Sequence, residues 1–373
     1  MSNPERRPGE VMGEARPASA IEVMTPREVP LGGPRAMTVR RTLPQRQRSL
    51  IGAWCFLDHY GPDDVASTGG MRVPGHPHTG LQTVSWLFTG EVEHRDTTGV
   101  HAMVRPGELN LMTAGSGIAH SEFSTPSTSV LHGAQLWLAL PDATRHVAPT
   151  FEHYAPPAVE RPGATARVFL GGLLGSLSPV ATHSPLLGAE IVLDAGASLT
   201  LDAPAGLQPG FEHGLLVDIG GVTVRAEGAE DRETEDRETE DSATGDSETV
   251  KAGGRVPVER GELAYLPVGL GEVTITAADD EPARVLLLGG EPFGEQIVMW
   301  WNFIGRTHDE VVAYREAWER ERVAADDAGD ADGADGAPGG GEDLDRRYGP
   351  FPDAWDSTLP APPMPPLRLR SRG

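Results

Sequence analysis

A single cysteine, Cys55, occurs among 373 residues. No internal disulfide can form, which points to a reducing, cytoplasmic compartment and away from a secreted framework. Its neighbours Trp54 and Phe56 mark it as a small buried hydrophobe without chemistry of its own. Long apolar runs are also missing: nothing approaches the roughly 20 residues of a membrane span, and the opening MSNPERRPGE has no apolar leader core. A third absence is positive charge arranged in a stripe. Apart from Arg40-Arg41, read as a solvated strand end, and the ending Arg368 to Arg372, no basic face is available, so direct nucleic-acid binding is not expected.

Acid, glycine and proline are plentiful instead. The formal net charge is −24, with 46 Gly and 33 Pro. That composition suits turn-rich β structure rather than a helical bundle, and the length suffices for two domains. Much of the charge is local: residues 227–249 hold 11 acids and 2 bases, and residues 324–345 hold 8 acids and no base. Both runs lack the apolar residues that offset ordering entropy, so both are expected to be disordered insertions.

Short β-prone runs recur between turn signals. Thr83-Val84-Ser85-Trp86-Leu87-Phe88 stops at Thr89-Gly90, and Thr97-Thr98-Gly99 reads as the next hairpin turn. Regular short strands without intervening helices predict a closed β barrel able to hold a ligand. The second half repeats the theme at Glu190 to Leu193, Gly214 to Val217 and Ala283 to Leu288. The expected order is a flexible arm over 1–35, a barrel over 36–155, and a second barrel over 165–306 interrupted at 227–249. A helix over 307–323 then opens on the capping box Thr307-His308-Asp309-Glu310 and carries the stripe Val311, Tyr314 and Trp318. The second acidic run and a proline-rich tail over 346–373 follow.

Two short motifs carry the chemistry, His76-Pro77-His78 and His120-Ser121-Glu122. Alternate side chains of a strand share a face, so each motif projects two ligands together. One histidine on a strand is more often structural than ligating, but two such pairs offer three imidazoles and a carboxylate. That donor set suits one divalent transition metal with open positions for a small molecule. The second barrel has no such motif, since His183 and His213 stand alone, and it is expected to be metal-free.

The stretch GHPHTGLQTVSWLFTGEVEHRDTTGVHAMVRPGELNLMTAGSGIAHS resembles the N-terminal barrel of the pirin family, bicupin proteins of bacteria and eukaryotes. Phe56 to Pro62 upstream, and Pro292-Phe293-Gly294 with Met299 to Arg306 downstream, extend the likeness over most of the chain. The resemblance implies an all-β fold of two tandem cupin (double-stranded β-helix) barrels with a C-terminal helix. It also implies Fe(II) held by His76, His78, His120 and Glu122. Cupins in general place a Glu ligand at the position of Gln82; pirins resemble one another in taking the acid from the second motif. An amide at Gln82 can orient a bound molecule or make an ordinary strand hydrogen bond.

Two roles follow from the resemblance. One is a flavonol dioxygenase of the quercetin 2,3-dioxygenase type, using O2 and opening the heterocycle with loss of carbon monoxide, with Glu122 doubling as catalytic base. The other is a metal-binding cupin that acts on a protein partner, as a sensor or co-regulator without catalysis. His59 can lie at the barrel mouth or in a structural hydrogen bond, His94 and His101 are expected to be exposed, and Trp86 with Phe88 are expected in the core. Met112, Phe123 and Trp137 are weaker candidates for the site.

Overall fold

The computed structural model describes residues 21–31, 37–228, 254–331 and 346–373. The acidic insertions fall outside these, except for Glu227, Gly228 and the helical backbone of 324–331. Among the described residues no helix is long and apolar enough to cross a membrane.

Each of two barrels is closed by a seven-stranded and a four-stranded antiparallel sheet. In the first barrel the large sheet runs Thr150–Tyr154, Leu109–Thr113, Leu81–Thr89, Val130–Ala139, Trp54–Asp64, Met37–Leu43 and Arg27–Leu31. The small sheet runs Arg72–His78, Ile118–Ser124, Val92–Asp96 and His101–Val104. The second barrel repeats the plan, with Glu212–Ile219, Ala283–Gly290 and Leu186–Leu193 at the centre of its large sheet. Strands Val222–Gly228 and Arg255–Val258, which flank the first acidic insertion, pair in its small sheet.

The two large sheets pack face to face because each carries a second apolar row. Val84, Trp86, Leu109, Leu111 and Leu136 of the first meet Phe169, Leu216, Leu263 and Leu286 of the second. Burial demands partners for the polar groups trapped there. Trp86 Nε1 donates to Glu190 at 2.7 Å. Asp218 Oδ1 accepts from Nε2 of both His59 and His132 at 2.6 Å, and Arg284 Nε donates to its Oδ2 at 2.6 Å. Burial would raise the Asp218 carboxyl, but the bonds from His132 and His59 outweigh it and hold the group far below its usual range. Burial in turn lowers His59. His59 is therefore a structural clasp between barrels and not a substrate contact at a barrel mouth.

Three expectations need correction. Residues 21–31 are not a free arm: Glu22–Met24 pairs with Leu263–Leu266 of the second barrel, whereas Arg27–Leu31 pairs with Met37–Leu43 of the first. Met24 and Val29 are buried, and these two anchors fix a segment too short to show a period. Arg40-Arg41 is not a solvated end either. Arg41 makes a buried fork with Asp58 at 2.7 and 2.8 Å, and Arg40 donates to His59 Nδ1 at 3.3 Å. Thirdly, the helix runs His308–Ala331, beyond 323. Its start is as read, with Glu310 N donating to Thr307 Oγ1 and Thr307 N to Glu310 Oε2, both at 3.2 Å. Val311, Tyr314 and Trp318 pack on Trp300, Trp301 and Phe303.

The second barrel encloses His213, 1% exposed, with neither ring nitrogen hydrogen-bonded. Burial depresses it to about 4. A histidine so depressed carries no protonation penalty above its unfolded value near 6.5, and it weakens folding progressively as pH falls toward 4, because the unfolded chain takes up the proton first. Replacing His213 by Leu should therefore stabilise the protein by about 2 kcal/mol more at pH 5 than at pH 8. Denaturant unfolding at the two pH values measures this, and equal effects at both would contradict it.

Candidate metal centre

Strand Arg72–His78 is the edge of its small sheet, which is why it tolerates Pro77 between two histidines: the missing N–H faces no ladder partner. It pairs with Ile118–Ser124 so that His76 stands opposite His120, and the register slips between His120 and Glu122, with Val73 opposite Glu122. The extra residue bulges at Pro74 and Gly75, and the Pro74 carbonyl accepts from His76 Nδ1 at 2.8 Å. That bond fixes the proton on Nδ1 and turns the Nε2 lone pair inward.

His76, His78 and His120 are fully buried, with ring centroids 4.3 to 5.1 Å apart. One nitrogen from each lies within 4.8 Å of the others. Nε2 of His76 and of His120 has no hydrogen-bond partner, and His78 has only the Asn302 backbone to bond. Burial lowers His76 to about 3 and takes His78 and His120 well below their ordinary value, so all three are neutral at pH 7. Buried, neutral and convergent imidazoles are what a divalent metal needs, and the residues fit that group.

The fourth member stands toward the inner strand. Glu122, buried, groups with His120 and with His94 opposite it on Val92–Asp96 rather than with the full histidine triplet. Ser85 Oγ lies 3.4 Å from Glu122 Oε1 and 2.9 Å from Gln135 Oε1. Its single proton is better placed for the amide. Trp137 presents its ring edge-on to His78 at 5.1 Å and stacks on Phe56 at 4.0 Å, with the Arg41 guanidinium 4.3 Å from the other ring centre. Nε1 of Trp137 and Nε2 of Gln135 are buried donors without a protein acceptor.

Other candidates fall elsewhere. Gln82 shares the sheet face of Val84 and Trp86 and donates to Thr113 Oγ1 at 2.9 Å, so it is an ordinary strand bond. Trp86 is interface core, and His101 is exposed. His94 contradicts its reading as exposed: it is 3% exposed, with Nδ1 3.3 Å from His120 Nδ1 and Nε2 3.1 Å from Asp96 Oδ2. The alternation His94-Arg95-Asp96 places both on one strand face and was the available signal. Met112 packs with Ala114 and Ile118, and Phe123 lies under Arg72.

Residues from the far end of the chain close the site. Ile304 N donates to Thr79 O at 2.9 Å, and Leu359 N to Gly75 O at 2.8 Å. Gly75 is required because a Cβ there would meet the Trp355 ring at 2.3 Å. Cys55 is buried, and burial pushes its thiol up to about 12, so it stays inert.

The Pirin family profile matches residues 36–138, and that of the Pirin C-terminal cupin domain matches residues 242–324. A Pseudomonas aeruginosa protein provisionally named quercetin 2,3-dioxygenase is 41% identical over 300 residues, spanning 80% of this chain and 84% of its own length. A pirin-like protein of Caulobacter vibrioides is 32% identical over 302 residues, spanning 78% and 90%. The crystal structure of quercetin 2,3-dioxygenase from Acinetobacter baumannii aligns with a TM-score of 0.74 at 33% identity, covering 94% of this chain and 98% of that one.

A metal that binds this pocket and not the unfolded chain should stabilise the fold by about 2.7 kcal/mol at a hundred times its dissociation constant. Thermal unfolding with and without Co(II) is the check. The shift should vanish in His76→Ala, and an equal shift in that variant would place the metal elsewhere.

Proposed function

The chain belongs to the pirin family, and from that premise we propose that it is a metal-dependent dioxygenase opening the heterocycle of a flavonol or a related enolisable phenol. The observation carrying this reading is the convergence of unpartnered buried nitrogens from His76, His78 and His120. These three would hold one divalent metal, with iron as its identity and Glu122, beside His120, as a fourth ligand on the family resemblance. Bound there, the metal supplies a redox-capable Lewis acid that stabilises a substrate anion and orients O2 beside it.

The remaining chemistry belongs to the chain. The Phe56–Trp137 stack offers a flat apolar wall for a fused aromatic ring, and the Arg41–Asp58 fork behind Phe56 keeps that wall from tilting. Trp137 Nε1 and Gln135 Nε2 can donate to oxygens that the substrate brings in. Glu122 is the base. It is a buried carboxylate beside His120, and the same group that the resemblance makes the fourth ligand would take the acidic hydroxyl proton of a flavonol. Burial of the pocket excludes bulk water from the anion so formed.

Carbon monoxide release from quercetin by protein of measured Fe(II) content tests this. Release should depend on metal and fall more than about 100-fold in His76→Ala and in His120→Ala, beyond what loss of an outer-shell partner costs. No release from fully loaded wild-type protein would sink the flavonol assignment and leave a binding or sensing role.

A further inference from the structure

His94 and Asp96 belong to no motif that the site reading uses, yet both are buried and form a chain that ends on a proposed ligand. Asp96 is held by the hairpin turn that follows it: its Oδ1 accepts from Thr98 N at 2.8 Å, Thr98 Oγ1 at 2.6 Å and Val100 N at 3.2 Å. Its Oδ2 is left facing His94 Nε2 at 3.1 Å, and His94 Nδ1 faces His120 Nδ1 at 3.3 Å. On the other side the Phe151 ring packs on His94 with centroids 4.8 Å apart, limiting its rotation.

For a neutral His94, donor and acceptor logic then fixes every proton. A carboxylate only accepts, so His94 carries its proton on Nε2 and offers a lone pair at Nδ1. Two facing lone pairs cannot bond, so His120 must carry its proton on Nδ1. Its Nε2 is then a bare lone pair, and it is the nitrogen without a protein partner. Both nitrogens of His94 are thereby committed, which removes it from the ligand set despite its closeness to His120 and Glu122. We infer that His94, anchored by Asp96, is a positioning residue that locks His120 in the tautomer and orientation needed to bind metal through Nε2. The inference rests on the metal reading of the pocket.

Co(II) affinity, measured by competition with a chromophoric chelator, and the visible spectrum of bound Co(II) test it. His94→Phe fills the space but accepts nothing, and should weaken binding about 10- to 100-fold and alter the spectrum. His94→Asn places an amide oxygen near the site of Nδ1 and should recover affinity to within a few-fold of wild type. Asp96→Asn keeps the turn but presents an N–H to His94, reversing the tautomers; it should weaken Co(II) binding like His94→Phe while the metal-free protein melts as wild type does. Nitrogen-15 spectra of metal-free wild-type protein should show protons on His94 Nε2 and His120 Nδ1, a readout that needs no variant to fold. Either the opposite tautomers, or Co(II) bound within about twofold of wild type by both His94→Phe and Asp96→Asn, would overturn the inference. Failure of wild-type protein to bind Co(II) would instead remove the metal reading itself, and with it the role given to His94.

Discussion

Keeping three imidazoles neutral in a dry interior is the condition on which the first barrel's design depends. An imidazolium at any of His76, His78 or His120 would be a buried cation beside two like neighbours, so burial and mutual repulsion both drive the protons off. What remains is a set of lone pairs with no protein partner, which an ordinary core would not tolerate. The surrounding structure serves that condition. A bulge supplies the Pro74 carbonyl that orients one ring, a hairpin turn supplies the carboxylate that orients a second through His94, and the aromatic wall of Trp137 closes against the third.

The same scaffold is used twice with different interiors. In the second barrel the corresponding space is filled by residues such as Leu187, Ile191, Leu215, Val217 and Leu287, and His213 sits among them with nothing to bond. The large sheets meet through matching apolar rows, and their polar content is concentrated in the Asp218 clasp, where one carboxylate from the second barrel answers two histidines of the first. The metal-side chemistry and the barrel contact therefore lie on opposite faces of one sheet. Ser85 points to the pocket, while Val84 and Trp86 on either side of it point to the neighbour.

Much of this could be read from the chain, and the reasons for the remainder are physical. The alternation in His76-Pro77-His78 and His120-Ser121-Glu122 survives folding because each pair lies in a strand, and the helix start at Thr307 is decided by local bonds. What could not be read was set by register. A single extra residue at Pro74 and Gly75 puts Val73 opposite Glu122, the regular register on the other side puts His94 opposite it, and nothing in the spacing of the two motifs announces either. Arg41 looked solvated because its partner Asp58 becomes its neighbour only when two strands align, and His94 looked exposed because it flanks a turn, although its strand lies inside the sheet. Residues 21–31 escaped notice for the opposite reason: three to five residues carry too little pattern to reveal that they join two sheets.

The segment 355–359 lies along the edge strand that carries His76 and His78, hydrogen-bonding Gly75 on both its N–H and its carbonyl. That edge would otherwise be an open template for another strand. During synthesis the ligand-bearing strand emerges long before the segment that covers it. Until residues 355–359 are made, the outer side of that strand lacks the partner that bonds Gly75.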